Sequence, residues 1–392
     1  MVVAGEASGD WLAAELVRGI REVTASRDPV VTTDYQPLKS SLEPRFFGAG
    51  GSRMAEAGVE LDFDLTRHAV IGFSDVVRNL LTFRKLFLRL RRLARERQPD
   101  AVICVDFSGF NRRLAHAIRR DSRNQDWFHD WHPKLIQYVS PQVWASREGR
   151  VHQLAQDYDL ILSIFPFEKA WYAQRVPKLR VEFVGHPLLD KYKDIRRSVS
   201  ADTGSVVLLP GSRPQELARH LPVLLQAFEI IRHAVPDTAA TIVLPSESLV
   251  EQAGRLGVPS HIQVRCGGLP EALLKSTVAL ASTGTVTMEC AFFGLPTVAL
   301  YKTSWSTYQI GKRVVKVNFL AMPNLLAGAP IFPEFVQDAA TPNHIAGAAI
   351  ELLKHPEKRE LIRARLREVV ASLGGPGASR RAAEIIVETA GS

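Results

Sequence analysis

The sequence predicts an α/β protein built of two Rossmann-like, doubly wound parallel-sheet domains, and three observations carry that reading. Val206, Val207, Leu208 and Leu209 run apolar without alternation between Gly204 and Pro210-Gly211-Ser212, as a strand buried on both faces does. Similar runs recur around it, SVVLLP, TIVLP, HIQVRC, TVALAS and TVALY, each separated by a helix-length segment. That is the βαβ rhythm of a parallel sheet. Finally, 392 residues exceed one ordinary core, and the first half opens with its own strand, glycine turn and helix.

Composition narrows the class. A chain 46% hydrophobic and 23% charged is globular. It has neither a run of ~18 apolar residues nor a signal peptide, so a cytoplasmic protein is expected. Cys104, Cys266 and Cys290 have no ligand spacing, and are expected as buried small residues rather than disulfide or zinc partners. The net charge of +8 calls for an acidic partner: a phosphorylated metabolite, an anionic membrane or nucleic acid. Zinc-finger spacing, an RNP-type strand and a helix-turn-helix are missing, so nucleic acid is not expected.

In order, Met1 to Ala4 reads as a short strand, followed by the turn GEASGD and a helix from Trp11 to Ile20 with Ser8 or Asp10 as N-cap. Four residues is short for a central strand, which leaves open whether Met1 is the true start. GEASGD is not a GxGxxG dinucleotide fingerprint. Residues 27 to 44 read as a loop or insertion; RFFGAGGSRMAEAG gives a second strand, turn and helix; AVIGFSDVV, from Ala69 to Val77, is apolar and broken by Gly72. Leu80 to Arg97 is an arginine-rich amphipathic helix with Phe83, Leu86, Phe87, Leu90, Leu93 and Ala94 on one stripe. Leu81 and Leu88 fall outside the stripe. Such a helix either covers a sheet or lies against anionic lipid.

DAVICVDF is a buried strand ending on Asp106. Ligands gather at the carboxyl ends of strands in open α/β sheets, so Asp106 is a candidate for chemistry, with helix capping as the plain alternative. Residues 121 to 134 read as an excursion, and His129 and His132 are not at a metal spacing. LIQYVS is a strand stopped by Pro141; after it Trp144 is expected exposed, with Arg147 and Arg150 one helical turn apart. DLILSIFPFEKAWY and VEFVGHPLLD each read as a strand entering a loop, where His186 is either functional or a local hydrogen-bonding residue. Expected boundaries are an N-terminal domain 1–188, a linker 189–203, a C-terminal domain 204–375 and a final helix 376–392 able to pack back on the N-terminal domain.

In the second half two turns suit anions. After SVVLLP, Gly211 allows close backbone approach, Ser212 is a candidate N-cap, Arg213 adds charge and Glu216 can close a capping box. After TVALAS, Ser282, Thr283, Gly284 and Thr285 open a helix with Glu289 one turn in, placed for ribose hydroxyls.

GEASGD, SPQVWASR, FPFEK, VGHPL, LLPGSRPQE, STGTVTMEC and PNLLAG follow one another over about 320 residues, and in that order they strongly resemble the lipid-A-disaccharide synthase family. The resemblance implies a GT-B fold: two Rossmann-like domains facing across a cleft, acceptor on the first and nucleotide sugar mainly on the second. It implies UDP-2,3-diacylglucosamine as donor, 2,3-diacylglucosamine 1-phosphate (lipid X) as acceptor, and a β-1,6 tetraacyl disaccharide 1-phosphate and UDP as products. Asp106 matches the family's strand-end aspartate and is the implied base. Gly211, Ser212 and Arg213 resemble its pyrophosphate site, and Ser282, Thr283, Gly284, Thr285 and Glu289 would hold the UDP. Gly5, Glu6, Ser8, Gly9, Asp10 and Asn324 complete the implied substrate set. No metal or other cofactor is implied, because Arg213 and the helix dipole would stabilise the leaving UDP. Leu81, Phe83, Leu88, Arg89 and Arg92 would meet the inner-leaflet surface, with Trp144 and Arg147 toward the acceptor. A peripheral protein on the cytoplasmic face of the inner membrane follows, and a homodimer stays open. Ser146 replaces the family's usual second Trp, and Gly109 an acidic residue common after the aspartate. Rival readings are another GT-B UDP-sugar enzyme, a lipid-linked N-acetylglucosaminyl transferase or an epimerase, and a non-catalytic scaffold.

Overall fold

Two parallel sheets organise the chain. The computed structural model describes residues 1–26, 43–66, 76–123, 131–195 and 204–391; most of the 27–44 loop, of AVIGFSDVV and of the linker, and half of the 121–134 excursion, lie outside them. Strands β1 (Val2–Ala4), β2 (Phe47–Gly50), β3 (Glu60–Asp64), β4 (Ala101–Val105), β5 (Lys134–Tyr138), β6 (Leu160–Ser163) and β7 (Arg180–Phe183) form a parallel seven-stranded sheet in the order 3-2-1-4-5-6-7. Strands β8 (Val206–Leu209), β9 (Ala240–Leu244), β10 (Gln263–Cys266), β11 (Val278–Ser282), β12 (Thr297–Tyr301) and β13 (Glu334–Val336) form a parallel six-stranded sheet, 10-9-8-11-12-13. Each order reverses beside its own first strand, between β1 and β4 and between β8 and β11. Those reversals are where doubly wound sheets bind ligands.

The chain divides into one unit of Met1–Lys191 with Leu373–Ser392 and another of Tyr192–Ser372. In the second, Val206 and Leu208 pack on one side of the sheet with Leu221, Leu224 and Phe228 of the helix Pro214–Ala234. Val207 and Leu209 pack on the other with Cys290 and Ala291 of the helix Thr285–Phe292. Both faces are covered, which is why the strand shows no alternation.

In the first unit the final helix, Ala378–Gly391, packs on the first, Ala7–Ser26. Gly19 lets them close: a Cβ there would stand 3.2 Å from that of Ala383. Asp190 caps the final helix, accepting from the amides of Gly377 and Ser379.

Several local expectations change. The first helix begins at Ala7, so Ser8 and Asp10 lie inside it and neither is its N-cap. The helix after β8 begins at Pro214 with Arg213, not Ser212, at its N-cap. Cys104 and Cys290 are buried, but Cys266, on an edge strand, is exposed. Edge strands β3 and β13 were not expected; ELDFD and EFV are short and half-polar, as sheet edges often are. Among the described residues no helix is long and apolar enough to cross a membrane.

Candidate active site

At the first reversal the chain leaves β4 through two consecutive non-glycine residues in the left-handed region, Asp106 at φ 48° and Phe107 at φ 46°. Such backbone is strained by about 1–3 kcal/mol per residue and persists only where its surroundings over-determine it. Here they do. The Asp106 amide donates to Tyr138 O at 2.9 Å, and its carbonyl accepts from Asn111 Nδ2 at 2.8 Å and Gln137 Nε2 at 3.3 Å. Gln137 is held in turn by the Tyr158 hydroxyl at 3.0 Å. Phe107 stacks on Phe110, which meets Phe87 edge-on.

Gly5, at the end of β1, faces this turn. A Cβ on Gly5 would lie 2.2 Å from the Phe107 ring, so only glycine fits. Glu6 is half-buried and Ser8 exposed; Gly9 is buried, with an ordinary 3.5 Å clearance to Val105 O. Asp10 does something else. Its buried carboxylate accepts from the amides of Gly51, Arg53 and Met54 at 2.7 to 3.1 Å, capping the helix Ser52–Glu56.

Next along the same strand-end edge, Trp144 is half-buried rather than exposed. It meets Phe167 edge-on at 5.0 Å and donates to Glu168 Oε1 at 2.9 Å. Glu168 also accepts from the Phe165 amide, and burial pushes its carboxyl up to about 7 against these hydrogen bonds. Ser140 donates to the Tyr172 hydroxyl, which donates to Pro141 O. Val139 and Arg147 are two more left-handed non-glycine residues on this edge, at φ 67° and 58°. His186 is local: its buried ring lies against Phe165 and its Nδ1 accepts from the Leu188 amide, with burial lowering its pKa to about 4.

The second reversal is built from backbone. Gly211 takes φ 123°, Ser212 and Arg213 are exposed, and the Ser212 amide donates to Glu216 Oε2 at 3.1 Å while Arg213 pairs with Glu216 Oε1 at 3.2 Å. Glu216 therefore reaches back as a capping-box acid does, onto the residue before the N-cap. The site's own carboxylate sits on the expected anion cradle. His220 ties the turn down, bonding Pro210 O at 2.8 Å and the backbone of Lys302.

Beside it, Ser282 is buried at the end of β11, and Thr283 donates its amide to Leu300 O. Gly284, at φ 144° and ψ −161°, opens the helix Thr285–Phe292 with exposed Gly284 and Thr285 at its positive end. Glu289 is buried and accepts from the Tyr192 hydroxyl at 2.5 Å. Asn324 is buried with its polar atoms used inside the fold: it exchanges two hydrogen bonds with the Phe332 backbone and donates to Glu334.

Leu81 and Leu88, on the helix Val76–Arg97, are 69% and 47% exposed, while Phe83 is half-buried. Arg89 pairs with Asp62 at 2.6 Å and lies over Phe63, and Arg92 is exposed with no ion pair among the described residues. No cluster of candidate metal ligands occurs among the described residues.

The structure thus gathers Gly5 and Asp106 at one reversal and Gly211 to Arg213 with Ser282 to Thr285 at the other. Asp10 and Asn324 work as internal clamps. Sequence reasoning passed over Asn111, Gln137, Glu168 and Tyr192. For Glu168 the signal was present in FPFEK, a carboxylate flanked by aromatics.

The family model described as lipid-A-disaccharide synthetase matches residues 1–388. The lipid-A-disaccharide synthase of Geobacter sulfurreducens is 35% identical over 100% of this chain and 97% of its own length; that of Trichlorobacter lovleyi is 34% identical over 99% and 96%. Among solved structures, a putative UDP-N-acetylglucosamine 2-epimerase from Listeria monocytogenes aligns with a TM-score of 0.62 at 13% identity, over 99% of this chain and 95% of its own. The glycosyltransferase of kitacinnamycin aligns with a TM-score of 0.58 at 20% identity, over 99% and 97%. At such identities the structural likeness speaks for the GT-B fold alone. Near-full-length identity of about a third, with the family model matching residues 1–388, settles the family: the chain belongs to the lipid-A-disaccharide synthases, UDP-sugar glycosyltransferases of lipid A biosynthesis.

Proposed function

We propose that this chain joins UDP-2,3-diacylglucosamine to 2,3-diacylglucosamine 1-phosphate with Asp106 as general base. Asp106 takes the proton of the acceptor 6-hydroxyl as that oxygen attacks the donor's anomeric carbon from the face opposite UDP. The bond from that carbon to the pyrophosphate oxygen breaks, UDP leaves, and the centre inverts. Negative charge developing on the pyrophosphate is met by Arg213, the amides after Gly211 and the helix dipoles at Pro214 and Thr285, with no metal required. Glu216 must release the Ser212 amide for this. The observation that supports the assignment is a carboxylate at the end of a central strand, at a sheet reversal, on left-handed backbone braced by three hydrogen bonds.

The test incubates protein with both substrates in detergent and follows UDP and disaccharide by mass spectrometry. Asp106→Ala is expected to lower kcat by about 10²–10⁴. Disaccharide from the variant at the wild-type rate would remove Asp106 from the chemistry.

Both substrates carry acyl chains, so the helix Val76–Arg97 is the proposed docking face on the cytoplasmic side of the inner membrane. Exposed Leu81 and Leu88 insert, and Arg92 attracts acidic headgroups, with Arg89 joining it where it exchanges Asp62 for a headgroup. Leu88→Glu is expected to weaken flotation on anionic vesicles several-fold, and unchanged flotation removes Leu88 from the face.

A further inference from the structure

Some arginines of the first unit have a carboxylate of their own, as Arg89 with Asp62, Arg91 with Asp121, Arg97 with Glu60, Arg119 with Asp159 and Arg175 with Glu148. Arg112, Arg113, Arg147 and Arg150 have none among the described residues. The nearby acids are taken. Glu148, between Arg147 and Arg150, is held by Arg175, and Asp157 is held by His116 and Gln153. Arg147 takes φ 58°, and the Arg150 amide closes back on its carbonyl at 3.0 Å, so one tight turn carries both. The helix that Arg150 starts, Val151–Asp157, packs against the helix Ser108–Arg123 that carries Arg112 and Arg113. Arg150 is half-buried. Burial and the positive charges of Arg112, Arg147 and Arg113, in that order of weight, lower its pKa, with no carboxylate opposing them.

We infer that Arg112, Arg147 and Arg150 form a subsite for a phosphate monoester, the one borne by the acceptor; the inference rests on the transferase reading above. Guanidinium groups held together without a counter-ion are repulsive and partly desolvated, a state relieved by an anion with several oxygens. A phosphate dianion presents three such oxygens to forked donors, where a carboxylate presents two. Connectivity fits the reaction. The helix bearing Arg112 begins two residues after Asp106, and the acceptor's C1, which bears the phosphate, and its C5, which bears the 6-hydroxymethyl group, both flank the ring oxygen, so the phosphate sits near the hydroxyl that Asp106 deprotonates.

The test measures KM for the acceptor with its 1-phosphate and for the same diacylglucosamine without it, in detergent, using Arg147→Ala, Arg150→Ala and Arg150→Lys. Each alanine variant is expected to raise the KM of the phosphorylated acceptor on the order of tenfold, as losing a charge-assisted contact does. Donor KM is expected to stay within about twofold. Arg150→Lys recovers part of the loss, and the phosphate-free acceptor is used equally by wild type and variants. An equal rise with both acceptors, or no rise, overturns the subsite. Loss of flotation on acidic phospholipid vesicles with acceptor KM unchanged also overturns it, assigning the cluster to lipid headgroups. A wild type that makes UDP and disaccharide while the variants do not differ from it leaves the transferase reading standing. A folded wild type that makes no disaccharide removes both.

Discussion

The two sheet reversals have the same strand order but are made of different material. In the first unit the turn after β4 is side-chain built: Asp106 and Phe107 hold left-handed backbone without being glycine, braced by Asn111, Gln137 and a stack of rings. In the second, Gly211 and Gly284 occupy the unusual backbone, and what faces outward is amide and helix end. Proton transfer needs a titratable side chain fixed in one place, whereas a pyrophosphate needs donors that approach closely without a Cβ in the way. One topology therefore yields two chemically different turns, matched to the proposed base and the proposed anion site, depending on whether glycine or a strained side chain closes the turn.

The sharpest way to break that comparison is kinetic. Asp106→Ala is expected to act on kcat by about 10²–10⁴ with donor KM little changed, and Arg213→Ala to raise donor KM by about tenfold or more and also to lower kcat, because it meets the charge that develops on the leaving pyrophosphate. Effects falling the other way round would dissolve the distinction.

A second test uses pH. Glu168 keeps its proton to about pH 7 in the folded protein because burial raises its pKa from 4.5. The stability this gives is fully present below pH 4.5 and is lost as pH rises through 7, at most about 3 kcal/mol. Glu168→Gln, which does not titrate, is expected to unfold with a flatter Tm between pH 5 and 8 than wild type. Parallel curves would mean that Glu168 is already ionised.

The smallest effects come from adding one methyl group. Gly5→Ala is expected to cost about 1–3 kcal/mol by clashing with the Phe107 ring, and Phe107→Ala in the same chain should recover part of it. Gly284→Ala meets no atom within 4 Å, yet its φ of 144° admits little but glycine. Its cost, again about 1–3 kcal/mol, should be rescued by no side-chain deletion. Denaturant midpoints of the single and double variants check both.

How much of this was legible depended on how local the cause is. β8 and β11 could be read directly, because strands buried on both faces need unbroken apolar runs. The strand-end position of Asp106 was legible for the same reason; Arg147 and Arg150 were read as one helical turn apart, but Arg147 lies outside the helix at φ 58° and a tight turn joins it to Arg150. The internal partners of Asp10 and Asn324 were not legible: Asp10 caps a helix over forty residues away, and Asn324 clamps a carbonyl and amide eight residues on. A polar residue in a glycine-rich motif looks the same whether it faces a ligand or its own chain. The charge state of Glu168 depends on burial that its neighbours in sequence do not encode.

The left-handed pair at Asp106 and Phe107 bears on how this protein responds to selection for robustness. Glycine at either position would relieve backbone strain, so a thermostability screen without an activity readout should recover Asp106→Gly as a gain. The proposed base is then the residue such a screen discards first, and melting temperature becomes a poor guide to fitness at this turn.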